Sequence, residues 1–280
     1  MTRMIDLHVH TTASDGTFTP SEVVSLAKKA GIAAVAITDH DTIDGVEEAI
    51  NKAKGENLEL VPGVEISVGD TEDIHIVGLY INYKDENLLR VMDILKGYRK
   101  IRNEELIANV RKEGFDITYE SIAKTMNTNN VGRLHIAYYM QKMGMVNDYR
   151  KVFKKYLIPG TKTYVPMKQL SEEEGIGAIL NSGGIPVLAH INYLKQDEYG
   201  TEDTVKRLIG YGLKGIEVMY SGYDKNTEEL ALKISEKYNL IKSGGTDFHG
   251  TRRTGVYLGT GRGNMCVPYE FLLDIKKKLW

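Results

Sequence analysis

Cysteine is all but absent from this sequence: Cys266 is the only one in 280 residues. An internal disulfide is therefore excluded, and the composition suits a reducing compartment such as the cytoplasm. The lone thiol reads as a buried or incidental side chain rather than a nucleophile. No run of about 18 apolar residues occurs, so neither a helical membrane span nor a membrane partner is expected. The first residues lack a basic start followed by an apolar segment, so no secretory signal is expected. Internal repeats and low-complexity linkers are missing too. Hydrophobic residues make up 42% and charged residues 26%, the balance of a soluble globular chain with a sizeable core. Oligomeric state is left open.

What is present is an alternation of short apolar runs and amphipathic stretches. Thr19, Pro20 and Glu22 predict a helix start, with Thr19 as N-cap, Pro20 in the first turn and Glu22 completing a capping box. Gly31 predicts its end. Residues 33–38 read as a buried strand, 44–54 as a helix, and 58–61 and 64–67 as strands interrupted by Pro62-Gly63; 74–81 is a further strand. The alternation lapses over 84–168, which reads as mainly helical with short strand-like pieces at the edges. It resumes with helices at 172–181, 203–211 and 225–238, strands at 185–189, 215–218 and 240–243, and a last helix from Tyr269. Such alternation argues for parallel β/α construction. The expected organisation is a β/α barrel from residues 1–83 plus 169–280, carrying a helical insertion over 84–168.

Overall charge is −2, but it is unevenly spread. Between Lys84 and Lys168 there are 17 Lys and Arg against 9 Asp and Glu, a balance of +8 that leaves −10 for the remainder. A basic lobe on an acidic body suggests a polyanionic ligand between them. Lysine-rich faces such as Lys151, Lys154 and Lys155 fit a solvated surface equally well.

The chemistry centres on Asp6-Leu7-His8-Val9-His10. Side chains at i and i+2 of a strand leave the same face, so His8 and His10 point together at one spot. Further histidines and carboxylates recur near strand ends: Asp15, His40, Glu65, His75, His190, Asp247 and His249. Barrel enzymes place their sites at the C-terminal ends of strands. A single buried histidine is more often a core residue than a ligand, but this recurrence is hard to explain by packing. Mixed His, Asp and Glu without cysteine suits Zn, Mn or Fe better than Mg or Ca. Nine candidate ligands exceed one ion's need and fit two or three divalent ions. Such sites lower the pKa of a bridging water and clamp both oxygens of an in-line phosphoryl displacement. The spacing thus points to a polynuclear metallohydrolase.

Asp-Leu-His-Val-His, followed by Ser14-Asp15-Gly16 and Thr38-Asp39-His40-Asp41, resembles the PHP (polymerase and histidinol phosphatase) superfamily. Pro62-Gly63-Val64-Glu65-Ile66-Ser67, Leu188-Ala189-His190 and Thr246-Asp247-Phe248-His249-Gly250 match its later motifs in order. The resemblance implies a distorted (β/α)7 TIM-like barrel with a trinuclear site of Mn, Fe or Zn and a metal-bridging hydroxide as nucleophile. It implies one ion on His8, His10, Glu65 and Asp247, a second on Glu65, His75 and His190, and a third on Asp15, His40 and His249. Ile191 stands where many relatives have proline. Gly132-Arg133-Leu134-His135 resembles the Gly-Arg-Pro-His element of the nucleotide phosphatase branch, implying that Arg133 and His135 contact substrate phosphate. Leu134 replaces the proline.

Relatives with this element hydrolyse 3′,5′-bisphosphonucleotides to the 5′-monophosphate, and some trim short RNA from its 5′ end. The expected function is therefore a metal-dependent phosphoesterase acting on a phosphorylated small molecule, a nucleotide, with short RNA as a further partner. Tyr138, Tyr139, Tyr149, Phe153 and Tyr156 are candidates either for base stacking or for packing the lobe. Asp6 and Asp41 are candidates for orienting ligand histidines, or strand-end and turn aspartates. Arg252 and Arg253 read as exposed loop arginines, or as added phosphate contacts. Histidinol-phosphate hydrolysis and a non-catalytic metal-binding PHP module are the alternative functions.

Overall fold

Strand pairing, read along the chain, produces a single curved sheet. The computed structural model describes residues 3–70, 74–128 and 130–279. Its strands are β1 (Met4–Asp6), β2 (Ala34–Ile37), β3 (Glu59–Val68), β4 (Ile74–Leu79), β5 (Ile185–Leu188), β6 (Gly215–Tyr220), β7 (Ile241–Gly245) and β8 (Val267–Pro268). They lie in the order β7-β6-β5-β4-β3-β2-β1-β8. Backbone bonds from Leu7 N to Gly244 O at 3.1 Å and from Asp247 N to His8 O at 2.8 Å bring the chain beyond β1 against β7. The sheet thereby becomes a nearly closed, distorted TIM-like barrel.

The helices are α1 (Pro20–Lys29), α2 (Val46–Ala53), α3 (Glu86–Lys112), α4 (Tyr119–Met126), α5 (Arg133–Lys142), α6 (Tyr149–Tyr156), α7 (Glu172–Asn181), α8 (Glu198–Gly210), α9 (Lys225–Lys237) and α10 (Tyr269–Lys277). Helix α1 begins as its sequence dictates: Thr19 Oγ1 accepts from Glu22 N at 3.2 Å, and Glu22 reaches back to Thr19 N at 2.7 Å. Period-two alternation divides the strand residues between two layers. In β2, Val35 and Ile37 face the cluster shared with α1 and α2, while Ala34 and Ala36 face an inner cluster. That inner cluster also takes Leu272 and Ile275, so α10 plugs the barrel at the N-terminal ends of its strands. No helix among the described residues is long and apolar enough to cross a membrane.

A third apolar cluster draws only on residues between Leu106 and Val165. The first half of α3, through Leu88, Met92 and Leu95, packs instead with the barrel. One long helix thus rises from the barrel and supports α4, α5 and α6.

The pattern reading and the structure part in three places. Residues 59–68 form one continuous strand rather than two, because Pro62 and Gly63 lie where β3 changes partners. Up to Pro62 it pairs parallel with β2, and from Gly63 it pairs antiparallel with β4. Pro62's missing N–H is tolerated at that changeover. A Cβ on Gly63 would lie 2.9 Å from the carbonyl oxygens of Ile37 and Gly78, so glycine is required there. Second, β4 runs antiparallel to both neighbours, interrupting the expected parallel construction. Third, α8 starts at Glu198 rather than 203, because Asp197 caps it by accepting from Gly200 N at 2.8 Å. The two-residue β8 is too short to leave a pattern, and no strand lies within 84–168 among the described residues. Cys266 is exposed rather than buried.

Gly245 sets how closely β7 approaches the histidine segment. A Cβ there would lie 2.4 Å from His8 Cβ and 2.5 Å from His8 N. Gly245→Ala is expected to lower unfolding free energy by about 2 kcal/mol or more through overpacking. Urea denaturation measures this; a midpoint equal to wild type would show that the approach is not constrained.

Candidate metal centre

All nine carboxylate and imidazole positions picked out by spacing come to one end of the barrel. His8 and His10 follow β1, Asp15 lies in the loop beyond, and His40 follows β2 and bridges to Glu65 of β3. His190 follows β5, and Asp247 and His249 follow β7. His75 joins them from the start of β4, which the antiparallel run places at the C-terminal face of the parallel strands.

Glu65 is fully buried in the middle of the group. Its Oε1 lies 2.9 Å from His75 Nδ1 and 2.8 Å from His190 Nε2. Its Oε2 lies 2.9 Å from His40 Nδ1, 3.2 Å from His10 Nε2 and 3.3 Å from His8 Nε2. Asp247 Oδ1 adds contacts of 3.1 Å to His10 Nε2 and 3.3 Å to His249 Nδ1, and His249 Nε2 is 3.2 Å from Asp15 Oδ1. Three sets have donor atoms close enough to share an ion: His8, His10 and Glu65; His40, Glu65 and His75; and His10, Asp15, His40 and His249.

Buried carboxylates in such numbers demand positive charge. Burial alone would raise the pKa of Asp15, Glu65 and Asp247, yet neighbouring histidines (and Arg253 for Asp247) hold all three well below the usual range. The converse holds for His40: burial would lower it, but Glu65 and Asp15 raise it to about 9. Despite these short approaches, His8 Nε2, both ring nitrogens of His10 and Glu65 Oε2 are buried without a well-aligned hydrogen bond. Lone pairs converging in a buried, acidic cluster fit divalent cations.

Several supporting residues carry no spacing signal. Glu217 accepts from His8 Nδ1 at 2.8 Å and from His190 N at 2.7 Å, fixing the ring with Nε2 turned inward. Its only trace in the sequence is one carboxylate in an otherwise apolar strand. Asp39 accepts from Thr11 N, Thr11 Oγ1 and Ser14 Oγ, pinning the loop that carries Asp15. Tyr220 donates to Asp247 Oδ2 at 2.9 Å, and Arg253 grips the same oxygen. Asp41, His190 and Asp247 all have positive φ, so backbone strain gathers around the centre.

Among the described residues, the hydrogen bonds of Asp6 and Asp41 go to groups other than imidazoles. Asp6 accepts from Thr246 N and Oγ1 and Gly259 N, tying β1 to the loops beyond β7. Asp41 accepts from Ser67 N at 3.0 Å and pairs with Arg99 of α3. Arg252 and Arg253 are half-buried rather than exposed loop residues, because their guanidinium groups turn inward to Asp15 O and Asp247.

Two cavities flank the centre and share Asp15, His40, His75 and Leu134. The smaller, about 160 Å³, is walled by Arg99, Arg102 and Arg133 with Phe153 and Gln169. The larger, about 290 Å³, is bounded by Tyr193, Asp247, Arg252 and Arg253. Arg133 donates to Leu157 O at 3.3 Å, with its guanidinium 5.8 Å from the Phe153 ring. His135 is buried; Gly132 N donates to its Nδ1 at 2.9 Å, and Arg252 Nη1 lies 2.9 Å from its Nε2. Among the candidate stacking rings, Tyr138 and Tyr149 stack on each other at 4.1 Å, Tyr156 meets Phe115 edge-on and Tyr139 is buried. Of these, Phe153 alone lines one of the two cavities that flank the centre.

Residues 6–221 match the PHP domain family. The chain is a PHP-domain protein. A protein named 5′-3′ exoribonuclease from Haemophilus influenzae is 33% identical over 89% of this chain and 91% of its own length. A 3′,5′-nucleoside bisphosphate phosphatase from Chromobacterium violaceum is 31% identical, over 91% and 90%. A solved structure described as a metal-dependent phosphoesterase from Bifidobacterium adolescentis superposes with a TM-score of 0.87 at 27% identity, covering 99% of this chain and 96% of that one. Fold, relatives and a side-chain cluster able to bind metal make this PHP protein a metal-dependent phosphoester hydrolase.

Burial and the nearby Arg252 push the pKa of His135 down to about 3, against 6.5 when solvated. A depressed histidine pKa means that the unfolded chain takes up a proton below pH 6.5 that the folded chain refuses, so stability is intact above pH 6.5 and falls as pH drops. Between pH 7.5 and 5, His135 is expected to contribute a loss of about 2 kcal/mol. His135→Gln, which can still accept from Gly132 N, should show a correspondingly shallower decline in denaturation experiments. Parallel pH profiles would show that the ring is protonated in the fold.

Proposed function

We propose that this PHP protein hydrolyses the 3′-phosphate of nucleoside 3′,5′-bisphosphates. The observation that carries the reading is the Arg99, Arg102 and Arg133 cavity directly beside the candidate metal centre. Arginine forks match phosphate oxygens, and a bisphosphate brings a second phosphate to fill such a place. Histidinol phosphate, with one phosphate and a cationic head, would set positive charge against those arginines.

In this reading His8, His10, Glu65 and Asp247 would hold one divalent ion, Glu65, His75 and His190 a second, and Asp15, His40 and His249 a third. The two-sided contacts of Glu65 support its bridging role. Mn, Fe or Zn ions there would neutralise phosphate charge and activate water. Glu217 keeps His8 Nε2 aimed at the centre, and Arg253 with Tyr220 keeps Asp247 Oδ1 directed there. Arg133 and His135 orient the substrate by its phosphates. Residues 84–168 act as a cap domain that brings these groups, and the Phe153 ring, over the nucleotide.

Trimming of short RNA from its 5′ end is a second reading, favoured by the 290 Å³ cavity. A phosphodiester needs room on both sides of the phosphorus, and this space opens beyond the histidines, away from the three arginines.

Phosphate release from manganese-loaded protein tests the main reading, comparing adenosine 3′,5′-bisphosphate, adenosine 5′-monophosphate and histidinol phosphate. The bisphosphate is expected to be preferred, with Arg133→Ala lowering its kcat/KM by about 30-fold, the loss of one charged hydrogen-bonding partner. Preference for histidinol phosphate, indifferent to Arg133→Ala, would refute it.

A further inference from the structure

The tautomer of His135 exposes a mismatch. Gly132 N–H points at Nδ1 from 2.9 Å, so Nδ1 accepts and the neutral ring carries its proton on Nε2. That Nε2–H lies 2.9 Å from Nη1 of Arg252, and a guanidinium has no acceptor. Two donors therefore face each other where His135 is 2% exposed. Protonating the ring would only add charge beside Arg252.

Nor can Arg252 simply turn away. It donates to Asp15 O, and its guanidinium lies 5.2 Å from the Tyr138 ring of α5. Tyr138 Oη in turn donates to Arg252 O at 3.5 Å. His135 comes from α5 and Arg252 from the loop after β7, so the mismatch lies across the junction of lobe and barrel. Arg252 and Leu134 also edge the larger cavity, with Asp15 and His249 alongside. An anionic oxygen beside both donors would convert the clash into two charge-assisted hydrogen bonds.

We propose that His135 Nε2–H and the Arg252 guanidinium together form a seat for one phosphate oxygen, so that bound phosphate ties α5 to the loop after β7. The proposal rests on the phosphoester reading and adds Arg252 to it as a binding residue that works only jointly with His135. Free phosphate and a substrate phosphate group offer the same oxygen, and both are used in the test.

Inorganic phosphate is titrated into the metal-loaded full-length protein by calorimetry, with Arg252→Met, Arg252→Lys and His135→Gln alongside. Methionine retains apolar cover on Tyr138 without a donor. Arg252→Met is expected to weaken phosphate binding about tenfold, with Arg252→Lys recovering part of the loss. Without phosphate, its thermal midpoint should equal or exceed that of wild type, because the facing donors are gone. If the midpoint falls as well, the double variant decides: a shared seat makes the two losses less than additive, and fully additive losses overturn it. Unchanged phosphate affinity in Arg252→Met also overturns the seat. Hydrolysis of adenosine 3′,5′-bisphosphate is followed in parallel. Arg252-dependent phosphate binding without any hydrolysis would retire the bisphosphate reading and leave the seat, whereas hydrolysis with Arg252-independent binding would do the reverse.

Discussion

One buried carboxylate organises the functional end of this protein. Glu65 lies within 3.3 Å of five imidazoles delivered by four other segments of the barrel. An isolated carboxylate could not stay ionised there, because burial opposes its charge. The histidines reverse that penalty, and the same carboxylates hold His8 and His40 well above an ordinary imidazole. The arrangement is therefore a mutual requirement for cations, which protons or divalent metal can satisfy. Metal binding at such a site displaces protons and couples to stability.

The barrel exists, for this purpose, to bring those segments together, and its irregularities are where the centre imposes on the fold. Antiparallel β4 presents His75 from its first turn of chain, which a parallel strand could not do at that face. Gly63 lets β3 change partners two residues before Glu65, and Gly245 lets β7 lie against His8. Positive φ at Asp41, His190 and Asp247 marks backbone bent to place side chains rather than to extend strands.

Much of this was legible in the sequence. The α1 capping box, the limits of α7 and the start of α10 agree with pattern reading, because local chemistry alone fixes them. The gathering of His8, Glu65, His190 and their partners was legible because each follows or interrupts an apolar strand at the same face. The roles of Glu217 and of Asp39, which lies inside a matched motif, are not legible, since they rest on hydrogen bonds across the barrel that no spacing records. Arg99 and Arg102 were hidden for a related reason: on α3 they resemble any solvated helical arginine until the helix is placed beside the centre. Loop position carries no information about inward-turned guanidinium groups, so the sequence alone does not decide between exposed arginines and phosphate contacts at Arg252 and Arg253.

The most direct test of the central role of Glu65 is the metal content of wild-type protein and of Glu65→Gln, determined by elemental analysis after loading with manganese and exhaustive dialysis. Glutamine preserves size while removing the charge and one acceptor oxygen. The account predicts two to three ions in the wild type and loss of at least two in the folded variant, because Glu65 serves two of the proposed sites. A folded Glu65→Gln protein that retains the full wild-type complement would contradict it.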